Sequence, residues 1–317
     1  MIRGNTKKYI LLHAGASFME EFESNSTFEL TLVNPALNSL FVRVLRRLHL
    51  KFFPKSIHIW IYRLLLQSHI KNDGTEVIVV FDTDIWLQSI EYLVNKYDKT
   101  KVVVWYWNIV KNETLLNLCK RHAHKVCTFD MGESEKYNIG LHNQFYWINP
   151  DGESENLDAI YDVVFVGRLK GRLSKLEEIY TALLSQGIGV YFYVVKDSRA
   201  DKSTVFDLKD TFLSYNDVCN LISNSRAILD VVQPGQEGMT LRALESVFWQ
   251  KKLITDNINV RKEGFYNDGN VIFIQDLLID NILIHDFLSR DGVRNEREIL
   301  QKYGLDQWLR EIDNDME

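Results

Sequence analysis

The fold is decided by residues 227–255, which read AILDVVQPGQEGMTLRALESVFWQKKLIT. The apolar run at 227–232 has the length and composition of a buried parallel strand. A turn with Pro234 and two glycines follows, and apolar positions at 240–250 then recur at helical spacing. Residues 252–255, which read KLIT and contain Leu253 and Ile254, predict another strand. The stretch therefore predicts a strand–turn–helix–strand unit of a parallel α/β sheet.

The same alternation continues on both sides of this unit. Further strands are predicted at 9–13, 76–81, 101–107, 126–129, 162–166 and 189–195, and helices at 85–97, 113–122, 174–185 and 215–225. A polar segment at 149–156 interrupts the pattern and has the composition of a linker. We therefore predict an α/β protein with two Rossmann-like domains, at 1–150 and 151–317. Helices from about residue 295 are expected to cross back to the first domain.

Composition excludes several classes of protein. The chain has 317 residues, of which 46% are hydrophobic and 25% are charged, so it is neither collagen-like nor intrinsically disordered. Its net charge of −6 argues against a nucleic-acid partner. The three cysteines form neither a CxxC pair nor a disulfide framework, and no apolar run reaches the ~18 residues of a membrane span. We therefore expect a cytoplasmic protein.

The turn after the strand at 227–232 carries candidate site residues. Ligands of parallel sheets bind at the carboxyl ends of strands. There, Gly238, Met239 and Thr240 open a helix whose first N–H groups attract anions. Glu237 and Glu245 have the spacing Glu-x7-Glu, and a carboxylate can accept hydrogen bonds from a vicinal diol. An amphipathic helix with two incidental glutamates is the alternative.

The run from Glu237 to Glu245, followed by Lys252-Leu253-Ile254-Thr255-Asp256-Asn257, resembles the donor-site signature of GT-B nucleotide-sugar glycosyltransferases. The resemblance implies two Rossmann-like domains that face each other across a cleft, with the nucleotide sugar bound by the second domain. It implies that Glu237 binds hydroxyls of the transferred sugar, as one of the catalytic residues, and that Glu245 binds the nucleotide ribose. Gly238, Met239 and Thr240 then belong to the donor-binding turn.

A second motif follows the first predicted strand of the second domain. Gly167 and Arg168 end that strand, and Lys170 and Arg172 add two further cations. In GT-B enzymes a Gly-Arg pair with a lysine a few residues on neutralises the donor diphosphate. The resemblance therefore implies transfer that needs neither a metal ion nor a cofactor. Whether Lys170 or Arg172 takes the place of that lysine stays open, and a solvated basic turn is the alternative.

A wider resemblance, from about residue 75 to about residue 275, is to bacterial transferases of capsular-polysaccharide and O-antigen (lipopolysaccharide) synthesis. It is also carried by Trp105-Tyr106-Trp107-Asn108, Phe129-Asp130, Glu135-Lys136-Tyr137 and Gln144-Phe145-Tyr146. It implies transfer of a sugar from a nucleotide sugar to a surface-polysaccharide or lipid-linked glycan acceptor. The resemblance of the Glu-x7-Glu motif favours retention of the anomeric configuration. The alternatives are a non-catalytic nucleotide-sugar-binding scaffold protein and a GT-B-like sugar-nucleotide epimerase.

Polar residues at strand ends of the first half are candidates for the acceptor side. They are His13, Asp82, Asp84, Asn108 and Asp130. We favour Asp82 as the catalytic residue, because a positioned carboxylate can take the proton of an acceptor hydroxyl. An aspartate at a strand end also often caps the next helix, and Asp84 fits that role well.

Two further patterns in the first half have alternative interpretations. Asp82-Thr83-Asp84 matches the Asp-x-Asp by which GT-A transferases hold Mn²⁺ or Mg²⁺, but a GT-A fold leaves the second-half motifs unexplained. Side chains alternate along a strand, so Trp105, Tyr106 and Trp107 are not all expected to face a core. A sugar-stacking platform, core packing and a half-buried edge are the three interpretations of these aromatics.

The segment at 30–72 has an unusual charge pattern. It contains no Asp or Glu but seven Lys or Arg residues among many apolar ones. A basic, apolar surface suits the anionic inner leaflet of a cell membrane, so we expect peripheral attachment to an anionic membrane surface. A pair of core-packed helices with a solvated basic face is the alternative.

Overall fold

Residues 7–13, 19, 21–33, 63, 66–148, 159–277 and 281–314 are described by the computed structural model. The predicted linker at 149–156 and most of the basic segment at 30–72 lie outside these residues. Two units share the chain: unit 1 is Met1–Asn143 with Leu305–Glu317, and unit 2 is Gln144–Gly304.

Unit 1 contains a six-stranded, all-parallel sheet. Its strands are β1 (Lys8–Leu12), β2 (Glu29–Val33), β3 (Glu76–Phe81), β4 (Lys101–Tyr106), β5 (Lys125–Thr128) and β6 (Gly140–Leu141), in the order β2-β1-β3-β4-β5-β6. Its helices are α1 (Phe22–Asn25), α2 (Asp84–Leu87), α3 (Ile90–Lys96), α4 (Glu113–His122) and α5 (Met131–Tyr137), together with the last helix of the chain.

Both faces of the central strands in unit 1 are buried. On one face, Val104 and Tyr106 of β4 belong to a core that includes Leu93 of α3. On the other face, the ring centroid of Trp105 lies 4.9 Å from that of Trp308, which comes from the last helix. Trp105 and Tyr106 are therefore both buried, because a parallel sheet is covered on both sides, whereas Trp107 is half-buried. The expectation that the three aromatics do not all face a core is thus met, and core packing describes Trp105 and Tyr106.

Unit 2 contains a second six-stranded, all-parallel sheet. Its strands are β7 (Tyr161–Arg168), β8 (Val190–Val195), β9 (Leu208–Lys209), β10 (Ser225–Asp230), β11 (Lys252–Thr255) and β12 (Val271–Phe273), in the order β12-β11-β10-β7-β8-β9. Its helices are α6 (Leu173–Ser185), α7 (Tyr215–Ser223), α8 (Leu241–Phe248), α9 (Ile274–Leu277), α10 (Asn281–Ser289) and α11 (Arg297–Lys302). The last helix of the chain, α12 (Leu305–Asn314), belongs to unit 1. The core of unit 2 includes Val163, Phe165, Leu176, Leu229 and Ile254.

The structure confirms the prediction of an α/β protein with two Rossmann-like domains. The predicted change of domain lies near residue 150 and the predicted return of the chain near residue 295, while the units divide after Asn143 and Gly304. In the described part of the chain, no helix is both long and apolar enough to cross a bilayer.

Some predicted elements differ from the observed ones. The single helix predicted at 85–97 is two helices, α2 and α3, because the Ser89 hydroxyl donates to the Ile85 carbonyl over 3.0 Å at their junction and competes with the helical ladder. The strands β2, β6, β9 and β12 were not predicted. Three of these have only two or three residues, which is too short for a periodic pattern.

Candidate functional site

The strand order of unit 2 changes direction between β7 and β10. From β7 the chain moves outward to β8 and β9, and from β10 it moves the other way, to β11 and β12. At such a switch point the two loops that follow the central strands diverge and leave room for a ligand at the carboxyl ends of the strands. The loop at 167–172 and the turn at 231–240 leave β7 and β10 at this point, so both predicted donor motifs lie at one edge of the sheet.

The loop after β7 is a sharp basic turn. Arg168 ends the strand, and its Nε lies 3.0 Å from Oδ1 of Asp197. Lys170 and Gly171 follow with φ values of +45° and +75°. The left-handed conformation costs a lysine about 1 kcal/mol, whereas glycine adopts it freely. Lys170 is exposed, so the loop presents its cation to solvent at some conformational cost.

Arg172 joins the two loops of the switch point. Its Nε donates to the Leu169 carbonyl over 3.1 Å, and its two terminal nitrogens donate to the carbonyls of Arg168 and Val231. Burial lowers the pKa of the guanidinium, and Asp230 counteracts that shift. Three of the five N–H groups of Arg172 are used in these contacts, so two are left for a ligand.

The turn after β10 begins with a type II β-turn. The backbone N–H of Gln236 donates to the Gln233 carbonyl over 3.1 Å, and Gly235 has a φ of +80°. Proline at the second position and glycine at the third are the residues that this turn prefers, and Pro234 and Gly235 occupy them. Glu237 follows directly and is exposed, so its side chain is accessible to a ligand.

Thr240 is the N-cap residue of α8, and its side chain is hydrogen-bonded to a buried carboxylate. Its hydroxyl accepts from the Ala243 N–H over 3.3 Å and donates to Asp230 over 2.8 Å. The other oxygen of Asp230 accepts from Thr255 over 3.0 Å, and burial raises the pKa of Asp230 to about 6. The neighbouring side chain of Met239 is buried, so that residue can offer a ligand its backbone rather than its side chain.

Glu245 lies on the buried side of α8. Its side chain is 0% exposed, Tyr215 donates to its Oε1 over 2.9 Å, and Arg242 forms an ion pair with its Oε2. Burial raises the pKa of Glu245 to about 7, against the lowering effects of Arg242 and Tyr215. Because the carboxylate is fully buried, a nucleotide ribose could reach Glu245 only if Tyr215 or Arg242 moved away from it. The role predicted for Glu245 therefore requires a local rearrangement.

Unit 1 has its own switch point, between β1 and β3. His13 follows β1, is 1% exposed, and has a pKa lowered by burial to about 4, so at neutral pH it is an uncharged imidazole. Asp82 follows β3. Its carboxylate accepts from the Trp107 N–H over 3.2 Å and from the side-chain amide of Asn108 over 3.2 Å. Burial raises the pKa of Asp82 to about 6.

The structure thus brings Asp82 and Asn108 into hydrogen-bond contact. Asp130 and Asp84 lie at the starts of helices instead. Asp130 is 0% exposed and caps α5 by accepting from the Glu133 N–H over 3.0 Å. Asp84 is exposed and is the first residue of α2, whose N-cap is Thr83. The prediction that Asp84 caps this helix is therefore wrong, because its side chain lies one position too far along the chain.

Sequence reasoning did not single out four residues that build these sites. Asn257 and Asn259 hold the turn that carries Glu237, while Asp230 and Tyr215 hold Thr240 and Glu245. Only Asn257 carried a signal, since it lies in the run at 252–257 that accompanies the donor motif. Among the described residues, no three or more His, Cys, Asp or Glu side chains are grouped as metal ligands.

Comparison with known proteins gives similarity of fold rather than of sequence. No protein-family model matches the chain, and no curated protein matches it. The solved structure of TarM superposes with a TM-score of 0.52 and 13% identity over 80% of this chain and 57% of TarM, so the chain spans little more than half of the TarM length.

A second solved structure matches along almost the whole chain. It is a DNA-modifying β-glucosyltransferase, studied with its substrate uridine diphosphoglucose, and it superposes with a TM-score of 0.51 and 13% identity over 98% of this chain and 99% of its own. These similarities agree with the two parallel sheets described above. The chain has the two-domain, Rossmann-like α/β fold seen in these solved structures, the GT-B class expected from the sequence.

Proposed function

We propose that the protein is a glycosyltransferase that transfers a sugar from a nucleotide-sugar donor to a glycan acceptor. The observation that carries the proposal is the meeting, at the switch point of unit 2, of the basic loop after β7 with the acidic turn and helix start after β10. The fold supports it, because the DNA-modifying β-glucosyltransferase with the same fold uses uridine diphosphoglucose.

In the proposed donor site, charge is divided between the two loops. Arg168, Lys170 and the free N–H groups of Arg172 neutralise the diphosphate, with the backbone of Gly167, Gly238, Met239 and Thr240 around it. Positive groups fixed where negative charge develops on the leaving diphosphate lower the barrier without a metal ion or a cofactor. Glu237 binds hydroxyls of the transferred sugar, and Glu245 binds the ribose after exchanging a partner.

The proposed reaction breaks the bond between the anomeric carbon and the diphosphate oxygen and forms a bond from that carbon to the acceptor oxygen. The acceptor hydroxyl loses its proton, and we propose Asp82 as the group that receives it. A pKa raised to about 6 leaves Asp82 mainly ionised at neutral pH and still basic enough for this task. His13 and Asn108 would line the acceptor side next to it. Retention of configuration is proposed only from the Glu-x7-Glu resemblance.

The acceptor and its location are proposals from the sequence. A surface-polysaccharide or lipid-linked acceptor, as in capsule or O-antigen synthesis, would be reached at the inner face of the cell membrane through the basic segment at 30–72. Sedimentation with vesicles tests this proposal. Binding to anionic but not to neutral vesicles, weakened by salt, supports it, and no binding at low salt contradicts it.

Two measurements test the proposed activity. Thermal unfolding with UDP, GDP, CMP and dTDP sugars should show a higher melting temperature for one donor, because a ligand that binds only the folded state stabilises it. Product analysis with that labelled donor then separates transfer from epimerisation and from binding without turnover. Transfer that continues in EDTA supports the metal-free mechanism. Loss in EDTA with rescue by Mn²⁺ would instead support the Asp82-Thr83-Asp84 metal site.

A further inference from the structure

The loop after β11 holds the turn that carries Glu237. Asn257 is 5% exposed, and its side-chain Nδ2 donates to the carbonyls of Glu237 and Gly238 over 3.3 and 3.1 Å. Asn259 donates to the same Glu237 carbonyl over 3.2 Å. Two consecutive peptide groups of the turn are therefore tied to one buried side chain.

The orientation of the Asn257 amide is itself fixed. Its Oδ1 accepts from the backbone N–H of Asn259 over 3.1 Å, so its Nδ2 must face the two carbonyls. Its own backbone N–H donates to the Thr255 hydroxyl over 3.0 Å, and that hydroxyl donates to the buried Asp230. The amide group thus has little freedom to turn or move away.

This anchoring determines how the turn presents Glu237. A trans peptide group is planar, so a carbonyl held against Asn257 also fixes the direction of the N–H on its other side. The two held peptide groups are those that follow Glu237 and Gly238, which leaves the backbone next to the Glu237 side chain in one orientation. Glu237 is exposed, so its side chain is accessible to a ligand from this fixed base.

We propose that Asn257 is a positioning residue for the donor sugar, which orients Glu237 without touching the donor itself. The inference rests on the proposed function, in which Glu237 binds hydroxyls of the transferred sugar. Asn259 supports the same carbonyl from the solvent side. Loss of Asn257 should therefore weaken recognition of the sugar through Glu237, over and above any effect on the nucleotide.

The test measures what the sugar adds to binding. Calorimetric titration gives the dissociation constants of UDP and UDP-glucose, GDP and GDP-mannose, and dTDP and dTDP-glucose, and their ratio for the pair that binds is the sugar increment. Asn257→Ala should reduce the increment about 10-fold or more, because displacing a contacting group by about 1 Å can cost about 100-fold. Asn259→Ala, at a half-buried site, should reduce it less and in the same direction.

A double-substitution cycle distinguishes positioning from general damage. If Asn257 acts through Glu237, Asn257→Ala should have no further effect on the increment in a Glu237→Ala protein. The matched control is Asn270→Ala, which removes a buried asparagine whose amide donates to the Val293 carbonyl. It should lower the melting temperature and leave the increment unchanged.

The outcomes separate this inference from the proposed function. An unchanged increment in Asn257→Ala, or effects of Asn257→Ala and Glu237→Ala that multiply, would overturn the positioning role while nucleotide-sugar binding stands. If the wild-type protein binds none of the six compounds, the proposed function fails and the positioning role fails with it.

Discussion

The phenolic hydroxyl of Tyr215 donates a hydrogen bond to the fully buried carboxylate of Glu245 over 2.9 Å. The same hydroxyl lies 3.0 Å from that of Tyr146, which accepts from the indole N–H of Trp249 over 2.8 Å. Each hydroxyl has one proton, so when Glu245 is ionised the proton of Tyr215 points to Glu245 and the proton of Tyr146 points to Tyr215. Helix α8 is thereby linked to α7 and to residue 146 by a polar chain inside unit 2.

The first prediction concerns this chain of hydrogen bonds. Tyr215→Phe keeps the aromatic ring but leaves a buried oxygen of Glu245 without its donor, which should cost about 1–3 kcal/mol of unfolding free energy. Urea unfolding at neutral pH measures the loss. Tyr193→Phe is a suitable control, because the Tyr193 hydroxyl donates to the Thr211 carbonyl at an exposed site. Equal losses of unfolding free energy in the two variants would show that the hydrogen bond to Glu245 adds no more stability than an exposed one.

The second prediction concerns pH. Burial raises the pKa of Glu245 from its ordinary 4.5 to about 7 in the folded protein, so between these values the folded state holds a proton that the unfolded state has lost. The unfolding free energy should therefore fall as pH rises through this window, with a slope of up to about 1.4 kcal/mol per pH unit from this group.

Glu245→Gln tests that slope, because the amide cannot ionise. Its unfolding free energy should depend less on pH between about 4.5 and 7 than that of the wild type, while the exposed Glu298→Gln variant should follow the wild type. Parallel pH curves for Glu245→Gln and the wild type would show that burial does not shift this carboxyl group.

The third prediction concerns Arg172. Arg172→Lys keeps a positive charge but has one nitrogen where the arginine uses three against the carbonyls of Leu169, Arg168 and Val231. The variant should lose about 2 kcal/mol of unfolding free energy, since each unmade buried hydrogen bond costs about 1–3 kcal/mol, and should bind a nucleoside diphosphate more weakly.

The control for that change is Arg226→Lys. Arg226 is exposed and makes an ion pair with Asp162 at 3.4 Å, and exposed pairs contribute about 0–1 kcal/mol. Its stability and nucleotide affinity should stay near those of the wild type. If Arg172→Lys behaves in the same way, charge alone matters at this position and the junction of the two loops does not.

The fourth prediction concerns Asp82. A base must be ionised to act, so transferase activity should rise with pH around a midpoint of about 6, the raised pKa of Asp82. Asp82→Asn should lose most turnover and this pH dependence, and the exposed Glu91→Gln variant should keep both. Full activity in Asp82→Asn would exclude it as the proton acceptor.

Regular elements with strong apolar patterning could be predicted from sequence alone. Helix α4 and strand β3 have the predicted bounds, 113–122 and 76–81, because a periodic helix face and a continuous apolar run carry clear signals. Every residue of α8 from Ala243 to Phe248 is buried, and helical spacing alone does not predict that Glu245 is among them.

The contacts that build the site could not be predicted in this way. Asn257 binds the Glu237 carbonyl 20 positions away, and Tyr215 binds Glu245 30 positions away. Such hydrogen bonds depend on how loops from neighbouring strands meet, and no periodic spacing records them. The sequence therefore indicates which residue types carry charge, whereas the structure determines which of them are exposed, paired or buried.

The most direct test of the proposed donor site is a crystal structure of the protein with a nucleoside diphosphate bound. The account predicts the diphosphate at the switch point of unit 2, in contact with Arg168 or Lys170 and with the backbone at the start of α8, and with no metal ion between it and the protein. A nucleotide bound elsewhere, above all on a metal ion held by Asp82 and Asp84, would contradict the account.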